Sequence, residues 1–158
     1  MEALTTGDYL IVSLANKLPV GRALREDRSL NPKKIITLPR DEESPRWVIE
    51  KDWQEGAYKI SIRGGTAIEL NGLLFAGLIP DLPNNTWKIE SQPQHGKSTY
   101  TISLAGGNGY GKGWVVPDNV DEEGTQLAVR PLIVQPSYPP RYPPFELFEI
   151  TRLGDDDY

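Results

Sequence analysis

Tyr58-Lys59-Ile60 sets an aromatic residue and an isoleucine two positions apart, and the pattern recurs as Tyr9-Leu10-Ile11, Trp47-Val48-Ile49, Trp87-Lys88-Ile89, Tyr100-Thr101-Ile102 and Phe148-Glu149-Ile150. Successive side chains of an extended strand point to opposite faces, so the ring and the isoleucine of each triplet share a face, and that face is the core. The triplets alternate between a Tyr type and a Trp/Phe type. The Tyr members are spaced 49 and 42 residues apart, and the Trp/Phe members 40 and 61. Three units of roughly 40–50 residues, each opening and closing with such a strand, describe a pseudo-threefold repeat.

Outward from the triplets, helical spacing is almost absent. Short alternating apolar runs are bounded by Gly, Pro and Asn, which argues for an all-β chain. Strands are expected near 8–13, 20–24, 34–38, 46–51, 57–63, 67–71, 73–77, 86–91, 98–104, 112–116, 126–133 and 146–152. The architecture that fits is a β-trefoil: twelve strands with pseudo-threefold symmetry, six in a short barrel and six in a hairpin cap. An unrelated sandwich is the alternative. One domain is expected over residues 1–158, with the order of the acidic tail 155–158 left open. In such a fold the barrel is scaffold and function is sought in the loops.

Composition removes whole classes of chemistry. The chain has no Cys and a single His, so disulfides, thiolate catalysis and a multi-histidine metal site are excluded. Its net charge of −5 makes it a poor non-specific nucleic-acid binder. The longest apolar runs, such as Leu73–Ile79, fall far short of the ~20 residues a membrane-spanning helix needs. Met1–Thr6 carries an acid and no basic residue, unlike a secretory signal, so a soluble, cytoplasmic protein is expected; a monomer is expected as well.

Catalytic motifs are weak. His95 stands in a polar turn, Gln92-Pro93-Gln94-His95-Gly96-Lys97, where a solvated histidine is the plain reading. The glycine-rich run 106–113 has the letters of a phosphate loop, but Trp114-Val115-Val116 after it reads as a strand, not as a helix whose N-terminus would receive phosphate. Carboxylates cluster at Asp41-Glu42-Glu43, Asp118–Glu123 and Asp155–Asp157, each in a turn or the tail, and read as solvated charge. None of the four Trp residues follows a Gln by two positions, as the Gln-x-Trp of ricin-type lectins requires. No enzyme activity, cofactor or metal is expected.

One segment stands out. Val20-Gly21-Arg22-Ala23-Leu24-Arg25-Glu26-Asp27-Arg28-Ser29-Leu30-Asn31-Pro32-Lys33-Lys34 carries five basic residues and two acids in an acidic chain, and joins the second and third strands. Pro32 fixes its own φ and pushes Asn31 toward an extended conformation. Ser29 and Asn31 can bond nearby backbone and stiffen the loop. The residues alone leave three readings open: a solvated basic loop, a polyanion patch, and a loop aimed at a protease. In the third, an exposed arginine meets the buried carboxylate of a trypsin-like specificity pocket in planar, charge-assisted geometry.

At this loop, Glu26-Asp27-Arg28-Ser29-Leu30-Asn31-Pro32-Lys33 followed by Ile35-Ile36-Thr37-Leu38-Pro39, the sequence resembles the cospin-like family of fungal serine protease inhibitors. Gly113-Trp114-Val115-Val116-Pro117-Asp118, Val129-Arg130-Pro131-Leu132-Ile133-Val134 and the Pro-rich Tyr138-Pro139-Pro140-Arg141-Tyr142-Pro143-Pro144-Phe145 carry the same likeness over nearly the whole chain. The resemblance implies a β-trefoil inhibitor of trypsin-like serine proteases. Carried over by position, Arg28 enters the pocket and Arg28–Ser29 is the reactive bond, with Arg25 and Arg22 as rivals. Glu26, Asp27, Ser29 and Leu30 would line the cleft, while Asn31 and Pro32 would hold the loop spanning residues 25–31. Two other functions are kept beside it: a sugar-binding trefoil using Tyr110, Tyr138 or Tyr142, and a cysteine protease inhibitor.

Overall fold

The computed structural model describes residues 4–23, 25–39, 45–105, 111–117 and 124–153. The three acidic clusters, Tyr110, most of the glycine-rich run and the tail 155–158 lie outside the described residues. Twelve strands are present among the described residues: β1 (Gly7–Ser13), β2 (Val20–Arg22), β3 (Lys33–Thr37), β4 (Trp47–Lys51), β5 (Ala57–Ile62), β6 (Gly65–Leu70), β7 (Leu73–Gly77), β8 (Trp87–Ser91), β9 (Thr99–Leu104), β10 (Lys112–Val115), β11 (Ala128–Pro131) and β12 (Phe148–Arg152). Each corresponds to an expected strand.

Six of them close a barrel. β1 pairs with β4, β4 with β5, β5 with β8, β8 with β9, β9 with β12 and β12 with β1, all antiparallel. These are the strands that carry the aromatic-x-isoleucine triplets. The register puts Ile11 opposite Ile150, Ile49 opposite Ile60 and Ile89 opposite Ile102, so the isoleucines face one another across the ladders. All six isoleucines are buried, as are Tyr9, Trp47, Tyr58, Trp87 and Phe148; Tyr100 packs on the core partly buried. The hairpins β2–β3, β6–β7 and β10–β11 form the cap, joined by β3–β7, β7–β11 and a bridge from Ile36 to Gln126. The fold is a β-trefoil.

The threefold repeat extends to hydrogen bonds in the core. The Trp47 indole N–H donates to the Val20 carbonyl at 2.7 Å, tying β4 to β2, and Trp87 repeats this from β8 to Ala67 of β6 at 2.9 Å. In the third unit Phe148 has no N–H to give. It packs edge-on against Trp114 of β10 instead, with ring centroids 5.9 Å apart.

One departure from expectation follows from proline. β12 begins at Phe148 rather than 146 because Pro144–Glu146 forms a 3-10 turn, opened by a proline that needs no N–H partner there. A second 3-10 turn, Pro93–His95, occupies the polar turn around the histidine.

The first turn buries an acid. Glu146 is 1% exposed, and its Oε2 accepts the Ile133 N–H at 2.6 Å. Burial pushes its carboxyl up to about 7 from an ordinary 4.5, against the opposing pull of the Ile133 bond. A raised carboxyl pKa means that the folded chain holds a proton the unfolded chain releases. The resulting stability is complete below about pH 4.5 and is lost as pH rises through about 7, a change of about 3 kcal/mol. Glu146→Gln keeps an acceptor for Ile133 and cannot ionise. Urea unfolding should find it level with wild type at pH 4 and more stable at pH 8; equal stability at both would show that Glu146 does not titrate in this window.

Candidate functional site

The segment between β2 and β3 leaves the cap through a neck closed by two nearly buried cations. Arg22 ends β2 and Lys33 opens β3; they are 8% and 5% exposed. A buried charge is stable only when paired, so each cation recruits a carboxylate from the loop. The Ala23 N–H donates to the Lys34 carbonyl at 3.2 Å and completes the neck.

Arg22 holds the first limb. Its Nε donates to Glu26 Oε2 at 2.9 Å and its Nη2 to Glu26 Oε1 at 2.6 Å, a two-pronged bond matched to carboxylate geometry. The remaining Nη1 donates to the carbonyls of Arg63 at 3.0 Å and Ile62 at 3.5 Å. Those carbonyls belong to the β5–β6 turn, where Arg63 and Gly64 both take positive φ (48° and 80°), the geometry of a tight hairpin. The exposed Arg63 guanidinium also approaches Glu26, at 3.9 Å. The Arg22 hydrogen bond is the main reason the Glu26 carboxyl lies below its ordinary range. The loop of the first repeat is thus fastened to a turn of the second.

Lys33 holds the second limb. Its Nζ donates to Asp27 Oδ1 at 2.6 Å and to the Asp27 carbonyl at 3.0 Å. The same Oδ1 accepts the Ser29 N–H at 3.0 Å and the Ser29 hydroxyl at 2.6 Å. Ser29 Oγ in turn accepts the Asn31 N–H at 3.1 Å. Asn31 therefore joins through its backbone, and the side chains that shape the turn are those of Asp27 and Ser29.

Between the two fastenings the chain stands clear. Arg25, Asp27, Arg28, Ser29, Leu30 and Asn31 are exposed, Leu30 to 67%; Glu26 and Pro32 are half-buried. Among the described residues the Arg28 side chain has no hydrogen-bond or ion-pair partner. Its guanidinium is displayed on a backbone whose neighbours on both sides are bonded. Of the rivals, Arg22 is committed to the neck, whereas Arg25 is exposed.

Other candidates separate from this loop. His95 Nε2 accepts the Tyr142 N–H at 2.9 Å, and burial, reinforced by Arg141, lowers its pKa. The ring therefore serves as a neutral acceptor that fastens the Pro-rich segment, beside a cleft of about 540 Å³ lined by Leu14, Val134, Tyr142 and Phe145. Among the described residues no group of three or more His, Cys, Asp or Glu side chains is placed to hold a metal ion. Tyr138 is exposed and Tyr142 half-buried. Sequence reasoning did not anticipate Lys33 as a loop anchor or the turn at Arg63. The first pairs residues six apart across a bend, and the second comes from another repeat.

The chain has clear relatives among known proteins. The family model described as peptidase inhibitor I66 matches residues 1–152. A serine protease inhibitor of Lentinula edodes is 41% identical over 152 residues, which are 96% of this chain and 99% of the relative. A solved proteinase inhibitor from Coprinopsis cinerea is 43% identical and superposes with a TM-score of 0.86, covering 96% of this chain and all of its own. ThreeFoil, a designed 3-fold symmetric protein, superposes at 0.69 with 15% identity over 93% of this chain and 99% of its own; it shares the fold alone.

Proposed function

Because the chain belongs to the peptidase inhibitor I66 family, we propose that it inhibits serine proteases of the trypsin type, with Arg28 filling the specificity pocket and Arg28–Ser29 lying across the active site. The observation that carries this reading is an exposed arginine, without a partner among the described residues, between residues that are themselves fastened. A loop already held in its bound shape loses little conformational freedom on docking, so more of the contact energy survives as affinity. The pocket carboxylate supplies a charge-assisted partner that Arg28 does not have among the described residues. Ser29 and the exposed Leu30 occupy the leaving side of the cleft, and Arg25 lies on the approach. The bonds that hold Glu26 to Arg22 and Asp27 to Lys33 leave both acids of the loop paired.

Titrating trypsin, chymotrypsin and papain with the purified protein tests the proposal. Tight inhibition of trypsin at a one-to-one ratio, with chymotrypsin and papain unaffected or much weaker, is the expected result. Stronger inhibition of chymotrypsin than of trypsin would remove Arg28 from the pocket, and inhibition of papain alone would move the protein to cysteine proteases.

A further inference from the structure

We infer that Asp27 ties together the two sides of the Arg28–Ser29 bond, so that a protease's cut is resealed rather than completed. This rests on Arg28 being the pocket residue. Asp27 precedes the bond, and every group it binds follows it: the Ser29 N–H at 3.0 Å, the Ser29 hydroxyl at 2.6 Å and the Lys33 ammonium at 2.6 Å, which also reaches the Asp27 carbonyl at 3.0 Å. All four contacts cross the scissile peptide. Lys33 is fixed in β3 and nearly buried, so the tether runs to the body of the molecule and not merely within the loop.

The chemistry follows from what a serine protease does to such a bond. Its serine oxygen attacks the Arg28 carbonyl carbon, the peptide C–N bond breaks, and the Ser29 amine leaves with a proton from the catalytic histidine. In an ordinary substrate that amine diffuses away and water hydrolyses the ester. Here Asp27 and Lys33 hold the new Ser29 terminus beside the ester. It can return its proton to the histidine, attack the Arg28 ester carbon and release the serine hydroxyl, re-forming the peptide with no net change in composition. A group held in place competes at an effective concentration far above that of a free fragment. Lys33, and then Ser29, hold the Asp27 carboxyl well below the usual carboxylate range, so the tether persists in mildly acid solution.

The experiment compares wild type, Asp27→Ala and Asp27→Asn with a catalytic amount of trypsin, following intact and cleaved chain by mass spectrometry. Each protein, cut beforehand at Arg28–Ser29, is also incubated with trypsin to measure recovery of the intact chain. Asp27→Ala removes both a brace of the loop and a residue of the cleft, so its initial inhibition should weaken about tenfold; beyond that it should be cut about tenfold faster and should recover far less intact chain. Asp27→Asn, which keeps an acceptor for Ser29 but loses the charge opposite Lys33, should fall between. Equal cutting and equal resealing would overturn the tether, and so would weaker inhibition by Asp27→Ala with wild-type resealing of the pre-cut chain, which would make Asp27 a protease contact only. Arg28→Ala, run in parallel, reports separately on the underlying reading: if it still inhibits, Arg28 is not the pocket residue.

Discussion

Arg28→Glu should abolish trypsin inhibition, weakening it by at least about 10⁴-fold, while Arg28→Ala should weaken it about 10³- to 10⁴-fold. The estimate starts from the pocket. A trypsin-like enzyme buries one carboxylate at its base, and docking removes that group from water. With Arg28 in place the carboxylate receives a two-pronged, charge-assisted bond. With alanine it is left desolvated and unpaired, a cost of several kcal/mol, and glutamate adds repulsion between like charges. Arg28→Lys keeps the charge but not the fork, so it should retain most inhibition. Stability should not follow affinity. Arg28 is exposed and unpartnered among the described residues, so each variant should unfold within about 0.5 kcal/mol of wild type. A charge-reversed variant that still titrated trypsin stoichiometrically would dispose of Arg28 as the pocket residue.

How far the sequence announces all this depends on the length scale of each feature. The barrel is legible because its signal is local and repeated: six aromatic-x-isoleucine triplets, each with its own period-two alternation, agree on which face is inside. The third repeat shows the limit of that signal. Phe148 matches Trp47 and Trp87 by position, yet the indole-to-carbonyl bond they make is replaced there by a ring contact with Trp114, which no single-strand pattern encodes. The loop is legible as a basic outlier with a proline, and its exposed tip agrees with that reading. Its rigidity is not, because Arg22 is anchored to carbonyls about 40 residues away in sequence and Lys33 reaches back across a bend. By sequence alone an acid is a poor neighbour for an arginine proposed to enter an acidic pocket; the Asp27 carboxylate is occupied by Lys33 and Ser29. Glu146 gives no sequence cue, since it reads as the first residue of the expected strand 146–152 until a 3-10 turn carries it inside.

Arg22→Met should cost about 4 kcal/mol of stability and expose the loop to cleavage, because it breaks a buried pair from one side. The methylene stem is kept, so packing changes little. What is lost is the partner of a Glu26 carboxylate only 16% exposed, together with the donor to Arg63 and Ile62 of the neighbouring turn. Glu26→Gln should cost less, since the amide can still accept one bond from the guanidinium. The double variant Arg22→Met/Glu26→Met should recover much of the loss, because no charge is then left unpaired inside; a double-mutant cycle in urea measures that coupling. The pH dependence has a definite sign. Arg22 lowers the Glu26 carboxyl from its ordinary 4.5, so the pair stabilises the fold above that value and fades as pH falls below it. The gap between wild type and Arg22→Met should therefore narrow in acid. Limited proteolysis gives the functional readout: with the first limb released, trypsin should cut at Arg28–Ser29 at least about tenfold faster than in wild type, since the bond is then presented by a slack segment. Wild-type stability and wild-type resistance in Arg22→Met would mean that the neck is held by Lys33 and Asp27 without help from the second repeat.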